Sequence, residues 1–187
     1  MNYRVLALSG SPRAGSSNEK IIHALAAASA GRLQVTVYDG LARLPHFNPD
    51  EDRAGTPPEV ARFRAALRAA DGILICTPEY AHGVPGTLKN AIDWTVGSGE
   101  FSGRPTALIT ASTDGRFGHQ ALLETLKVIE AGSVEELNLL ISFVRTRVDG
   151  AGNITDAATQ AALERLAGGL LRAIETAAGP GTGAPPA

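Results

Sequence analysis

The chain has 187 residues, a single cysteine (Cys76), and 17 lysines and arginines against 19 aspartates and glutamates, for a formal charge of −2. One cysteine excludes an internal disulfide framework and any multi-cysteine zinc or iron–sulfur site built from this chain alone. The charge balance offers neither the basic excess of a nonspecific nucleic-acid binder nor the acidic excess of a shuttle that docks on basic partners. The expectation is a soluble, cytoplasmic protein with no membrane segment, folded as one domain over residues 1–178.

Residues Tyr3 to Ser9 form a short apolar run ending at Gly10, as a strand buried on both faces does. Gly10 to Asn18 is small, polar or proline apart from Arg13, and Ser16 and Glu19 then stand at capping-box spacing before a helix carrying Ile21, Ile22 and Leu25. Leu33 to Asp39 alternates and is β-branched, which predicts a second strand, and residues 40–55 read as a long loop. Thr56-Pro57-Pro58-Glu59 predicts a helix start with Thr56 as N-cap and Pro57 in the first position, followed by the stripe Val60, Phe63 and Leu67. The spacing then predicts a strand over Ile73–Thr77, a helix over Thr87–Val96, a strand over Thr106–Ala111 and a helix with Leu122, Leu126 and Ile129. A fifth strand over Leu137–Val144 and a last helix over Thr155–Ala177 complete the pattern, and residues 179–187 predict a disordered tail.

Strands alternating with helices imply right-handed crossovers and a parallel sheet covered by helices on both faces. Ligands in such sheets bind beyond the C-terminal strand ends, where the strand order reverses. Three loops rich in glycine or proline follow strands: Gly10–Asn18, Pro78–Gly86 and Ser112–Gly118. In the order 2-1-3-4-5 they share one crevice.

The first loop brings three hydroxyls, the Arg13 guanidinium and the Asn18 amide to a helix N-terminus, where free N–H groups favour an anion. Ser16 stands where a triphosphatase phosphate loop needs lysine, and Pro12 replaces the second glycine of the dinucleotide fingerprint. A terminal phosphate monoester remains. The second loop supplies Tyr80 and exposed main-chain groups beside glycines, which suit a planar heterocycle. Trp94 and Leu88 read as core or subunit-contact packing, and Cys76 as a buried, inert thiol. His23 and His46 have no partner at metal-ligand spacing, so no metal site is expected.

Gly10-Ser-x-Arg-x-x-Ser-x-Asn18 followed by Pro78-Glu-Tyr-x-x-Gly-x-Pro-Gly-x-Leu-Lys-Asn-Ala-Ile-Asp-Trp94 resembles the NADPH-dependent FMN reductase family, which includes flavin, quinone, azo-dye and chromate reductases. The resemblance implies a three-layer flavodoxin-like α/β fold. It implies that Ser11, Arg13, Ser16 and Asn18 hold the FMN phosphate, with Ser17 among them at a position the family leaves variable. Pro78, Glu79, Tyr80, Ala81 and the backbone through Gly83 would line the isoalloxazine, and Ser112 would approach it from the fourth-strand loop. NADPH or NADH would be the electron donor and a small molecule the acceptor, with ping-pong kinetics in a homodimer or homotetramer. A flavodoxin-like electron carrier and a nucleotide hydrolase stand as rivals; Arg13 and the near-neutral charge weigh against the first, Ser16 against the second. His82 lies near the ring without an assigned role, and Arg116 and His119 read as surface residues within reach of a nicotinamide phosphate.

Overall fold

A computed structural model describes residues 2–179; of the tail predicted over 179–187, all but Gly179 lies outside the described residues. Strands β1 (Tyr3–Ser9), β2 (Leu33–Val37), β3 (Gly72–Thr77), β4 (Thr106–Ala111) and β5 (Asn138–Ile141) form a parallel sheet in the order β2-β1-β3-β4-β5. Helices α1 (Ser17–Ala28), α2 (Pro49–Ala54), α3 (Pro58–Ala69), α4 (Gly86–Val96), α5 (Arg116–Val128) and α6 (Ala157–Ala177) connect and cover it.

Successive strand residues point to opposite faces, so the buried runs divide into two cores. Val5, Ala7, Leu74, Cys76, Ala107 and Ile109 meet Ile21, Ile22 and Leu25 of α1 and Leu163, Leu170 and Ile174 of α6. Leu6, Leu8, Ile73, Ile75 and Leu108 meet Val60, Phe63 and Leu67 of α3, Leu88, Ile92 and Trp94 of α4, and Leu122 and Leu126 of α5. Fully burying each of these large side chains is worth about 1.5–3 kcal/mol, which is why the sheet holds without any staple. The order reverses between β1 and β3. Gly10, at the end of β1, lies so close to β3 that a Cβ there would stand 2.2 Å from the Thr77 hydroxyl.

Several expected boundaries move. The long loop over 40–55 contains a 3-10 turn, Leu41–Arg43, and α2, whose N-cap Asn48 accepts from the Asp50 N–H and whose first residue is Pro49. No residue of α2 is buried, so no apolar stripe marked it. Thr56 does not cap α3; Pro57 occupies the cap position without a side-chain bond, and the Thr56 hydroxyl donates to Asp52 instead. Helix α5 begins at Arg116, inside the stretch read as loop. Strand β5 stops at Ile141 because the next residues fold back onto the β4 loop: Ser142 Oγ donates to Asp114 O, Phe143 N–H to Thr113 O and Val144 N–H to Ser112 O, with Phe143 in the left-handed region.

Asp52 and Thr56 serve a buried arginine. Arg64 donates both terminal nitrogens to the Asp52 carboxylate, at 2.8 and 2.7 Å, and its Nε to the Trp94 carbonyl at 2.9 Å. This fork ties α2 and α3 to the C-terminal turns of α4 and holds the Asp52 carboxyl below the usual carboxylate range. The Trp94 indole donates to Pro45 O at 2.8 Å and meets the Phe47 ring edge-on, so the middle of the 40–55 segment is fastened to α4. Arg64→Met is expected to strand Asp52 and the Trp94 carbonyl. Loss of one partner of a buried pair costs about 3–5 kcal/mol, and the partial exposure of Asp52 lowers that to about 2–3 kcal/mol. Urea denaturation measures it; an unchanged midpoint would remove Arg64 from the account of stability.

Candidate functional site

At the C-terminal ends of the central strands lies a cavity of about 440 Å³, within the range of about 300–1,000 Å³ typical of small-molecule sites. Ser11, Arg13, Ser16, Ser17, Asn18, Pro78, Glu79, Tyr80 and Ser112 line it. These belong to the three loops singled out in the sequence, brought together because β1, β3 and β4 are neighbours. Ala81 and Gly83 do not line it. Ala111, Thr113 and the segment from Phe143 to Thr146 do.

The first loop is wound onto the start of α1. Ser16 is the N-cap, its Oγ accepting from the Glu19 N–H at 3.2 Å, while the Glu19 carboxylate accepts from Gly15 N–H at 2.8 Å. The two side chains therefore cap as their spacing suggests, though Glu19 reaches one residue beyond the cap. Accepting that bond leaves the Ser16 hydroxyl proton free to donate. The main-chain N–H groups of Ser17 and Asn18 have no acceptor among the described residues. Asn18 is 4% exposed; its Oδ1 faces Cys76 Sγ and its Nδ2 has no protein partner among the described residues. Arg13 makes no ion pair among them either. A helix N-terminus with free donors and a free guanidinium has the character of an anion site.

The second loop turns sharply. Tyr80 N–H donates to Gly83 O at 3.0 Å and Gly83 N–H to Tyr80 O at 2.9 Å, closing a two-residue turn around Ala81 and His82. Both central residues have positive φ, 50° and 61°, the backbone of a type I′ turn, which usually carries Asn-Gly. The turn leaves the Tyr80 ring about half exposed at the cavity mouth, away from Trp94, which sits in the core as expected. Glu79 joins this loop to the third. Its N–H donates to Ser112 Oγ at 3.2 Å, and its carboxylate accepts from Gly118 N–H at 2.5 Å. The cap residue of α5, Gly115, offers no side chain, so Glu79 supplies the acceptor from another loop and places a negative charge at a helix N-terminus. Gly118 permits that approach: a Cβ there would lie 2.7 Å from Gly83 O and 3.0 Å from Glu79 Cγ.

Around the mouth, His82 stacks on Phe117 with centroids 4.2 Å apart, and Arg116 is held on the exposed side by Asp114 at 2.8 and 3.0 Å. Arg116 is thus a surface residue, as read from the sequence. His119 is not: it is 8% exposed, with Nδ1 2.9 Å from Thr110 Oγ1 and Nε2 3.1 Å from Asn138 Oδ1. The Asn138 amide donates its Nδ2 to Val134 O and Glu135 O, so its Oδ1 accepts from Nε2–H and the Thr110 hydroxyl donates to Nδ1. Burial holds this imidazole neutral, below the ordinary histidine range, and leaves it as a strut between α5 and the sheet. The expectation failed because Leu122 and Leu126 mark a stripe that His119 extends one turn earlier by the helical period. The segment after β5 was missed altogether. Nothing in Phe143–Thr146 looks like a ligand loop, and it reaches the cavity only through its bonds to Ser112 and Thr113. Arg145 enters there, again without an ion pair among the described residues.

Ala81→Gly relieves left-handed strain of about 1–2 kcal/mol against an unfolded-state entropy cost of about 0.4–1 kcal/mol, so stability should hold or rise slightly. Gly118→Ala should lose about 1–3 kcal/mol by overpacking against backbone. Thermal melting of the two variants distinguishes them, and a stable Gly118→Ala would contradict the close approach of the second and third loops.

Residues 3–142 match the family model of NADPH-dependent FMN reductases. The chain is 36% identical over 159 residues to an NAD(P)H-dependent FMN reductase of Pseudomonas aeruginosa, covering 82% of this chain and 85% of that protein. It is 32% identical over 172 residues to a 2-hydroxy-1,4-benzoquinone reductase of a Burkholderia species, covering 88% and 92%. Its fold superimposes with a TM-score of 0.75 on the flavoenzyme NAD(P)H:(acceptor) oxidoreductase of Paracoccus denitrificans, at 27% identity and covering 93% and 98% of the two chains. A five-stranded sheet of order 2-1-3-4-5, the two long motifs at its C-terminal edge and these relatives agree: the chain belongs to the NADPH-dependent FMN reductase family, a family of flavodoxin-like oxidoreductases.

Proposed function

We propose that the cavity holds FMN with its phosphate against the first turn of α1 and its ring against residues 78–80 and Ser112, and that the chain carries reducing equivalents from NADPH or NADH to a small-molecule acceptor, a quinone or a free flavin before an azo compound. The observation that carries this reading is the cluster of unused donors at one end of the cavity: Ser17 and Asn18 N–H, the Asn18 amide, the Ser16 hydroxyl and the Arg13 guanidinium. Free donors converging on a helix N-terminus favour an anion, and a phosphate monoester offers several acceptor oxygens.

FMN, when bound, supplies the redox chemistry: hydride uptake from the nicotinamide and electron release to the acceptor. The side chains need not act as acid or base. Glu79, the acid among the cavity-lining residues, is held by Gly118 N–H, where it organises the loops. Ser112 and the Glu79 main chain, bonded to each other, would support the ring, and Tyr80 would flank it at the mouth. Donor and acceptor would share that mouth, which favours a ping-pong order. Arg13 and the formal charge of −2 favour an enzyme of this kind over an acidic electron carrier.

We further infer one domain over residues 1–178 and a homodimer or homotetramer, in keeping with Tyr80, Phe117 and Phe143, all at least half exposed around the mouth. A cytoplasmic setting is in keeping with the single cysteine; among the described residues no helix is long and apolar enough to cross a membrane.

Two measurements test the reading. Under argon, NADPH or NADH should bleach the FMN-loaded protein, and added quinone should restore the colour; flavin that stays oxidised would leave the electron-carrier reading instead. Arg13→Ala should weaken FMN by roughly ten- to hundredfold, from the loss of charge-assisted hydrogen bonds, while leaving riboflavin affinity nearly unchanged. Equal losses for both flavins would move the phosphate away from this loop.

A further inference from the structure

Cys76 takes no part in the chemistry above, yet it does not sit idle in the core. It lies on β3 two residues before Pro78, and strand alternation turns its side chain toward the α1 layer rather than the α3–α5 layer. Directly there stands Asn18, in the first turn of α1, with Sγ and Oδ1 3.4 Å apart. Cys76 is fully buried and Asn18 is 4% exposed. The Asn18 amide has two ends. One meets the thiol; the other, Nδ2, has no protein partner among the described residues and belongs to a residue that lines the cavity.

We propose that Cys76 is a positioning residue for the phosphate end of the site: its S–H donates to Asn18 Oδ1 and thereby turns the Asn18 N–H₂ toward the bound anion. The inference rests on the FMN reading above and adds to it a residue from beneath the binding loop.

The orientation follows from which atoms can donate. A protonated thiol has one proton to give and is a poor acceptor. Burial keeps this thiol protonated, well above the ordinary thiol range. The amide oxygen is therefore the end that faces sulfur, and the amide nitrogen, with two donors, is left for the cavity. Were the amide reversed, its oxygen would face the phosphate and repel it, and N–H would face a weak acceptor. A neutral amide that can point either way costs affinity each time it must be turned; a fixed one does not. Sulfur suits the place because the same side chain must also pack against the aliphatic residues of the α1 layer, where a hydroxyl would be costlier to bury.

The test compares FMN with riboflavin, because only FMN carries the phosphate. In Cys76→Val the side chain keeps a similar volume and loses its proton. FMN affinity should fall by about three- to tenfold, with riboflavin affinity unchanged within twofold. Cys76→Ser restores a donor and should keep the wild-type preference for FMN. In an Asn18→Ala background, Cys76→Val should have no further effect on FMN, since the thiol acts through the amide. Melting temperatures confirm that each variant is folded, and Cys76→Ala, expected to behave as Cys76→Val does, serves if valine does not fit. If Cys76→Val, or Cys76→Ala in its place, keeps the full FMN preference while Arg13→Ala loses it, the proposal is overturned and the FMN site stands. If the wild-type protein itself binds FMN and riboflavin equally, the phosphate is not held by this loop, and both the site and the inference fall.

Discussion

Parallel strands cannot be joined by tight turns. Each connection must leave one end of the sheet, cross a face as a helix and return to the other end. Every strand of this molecule therefore opens at its C-terminal end onto the same edge, and the helices that follow β1, β3 and β4 begin there. Because β2 lies to one side of β1 and β3 to the other, the loops after β1 and β3 part company at that edge and leave a crevice between them. The cavity is a consequence of that connectivity before any side chain is considered. So is its electrostatic character, since the N-terminus of α1 meets it with free N–H groups, while the carboxylate of the lining residue Glu79 is engaged by the N-terminus of α5.

The strands and the buried helices were legible because burial on both faces writes itself as unbroken apolar runs and 3.6-residue stripes. Tyr3–Ser9 and Thr106–Ala111 match their strands residue for residue. Helix α2 was not legible, since nothing in it is buried and its stability comes from the Asn48 cap and from Asp52, whose partner Arg64 lies in the next helix. Thr56 misled for a related reason: a good capping residue was drawn into that ion pair. Local patterns report on local bonds, and these bonds cross between elements.

The site shows the same division. The phosphate-type loop and the Pro78–Tyr80 turn carried their chemistry in short contiguous motifs, and their residues do line one cavity. What the motifs left out arrives from elsewhere in the chain. Phe143 to Thr146 reach the cavity because β5 ends in bonds to the β4 loop, and His119 is buried because helical periodicity turns it inward. Ala81 and Gly83 shape the turn without lining the cavity. Glu79 has a structural role that its place in a binding motif conceals, for its carboxylate caps a helix from a different loop. Cys76 was rightly read as buried; its contact with Asn18 depends on strand alternation and on the stacking of α1 above β3, neither of which a single strand's sequence states.

FMN binding as proposed depends on a single placement, that of the phosphate against the first turn of α1. The most direct measurement is a crystal structure of the FMN complex. The phosphate oxygens should lie within hydrogen-bonding distance of the Ser17 and Asn18 N–H groups, the Asn18 Nδ2, the Ser16 hydroxyl and the Arg13 guanidinium, with the ring between Tyr80 and Ser112. A phosphate found at the α5 end of the cavity, or an Asn18 amide turned with its oxygen toward the anion, would contradict it.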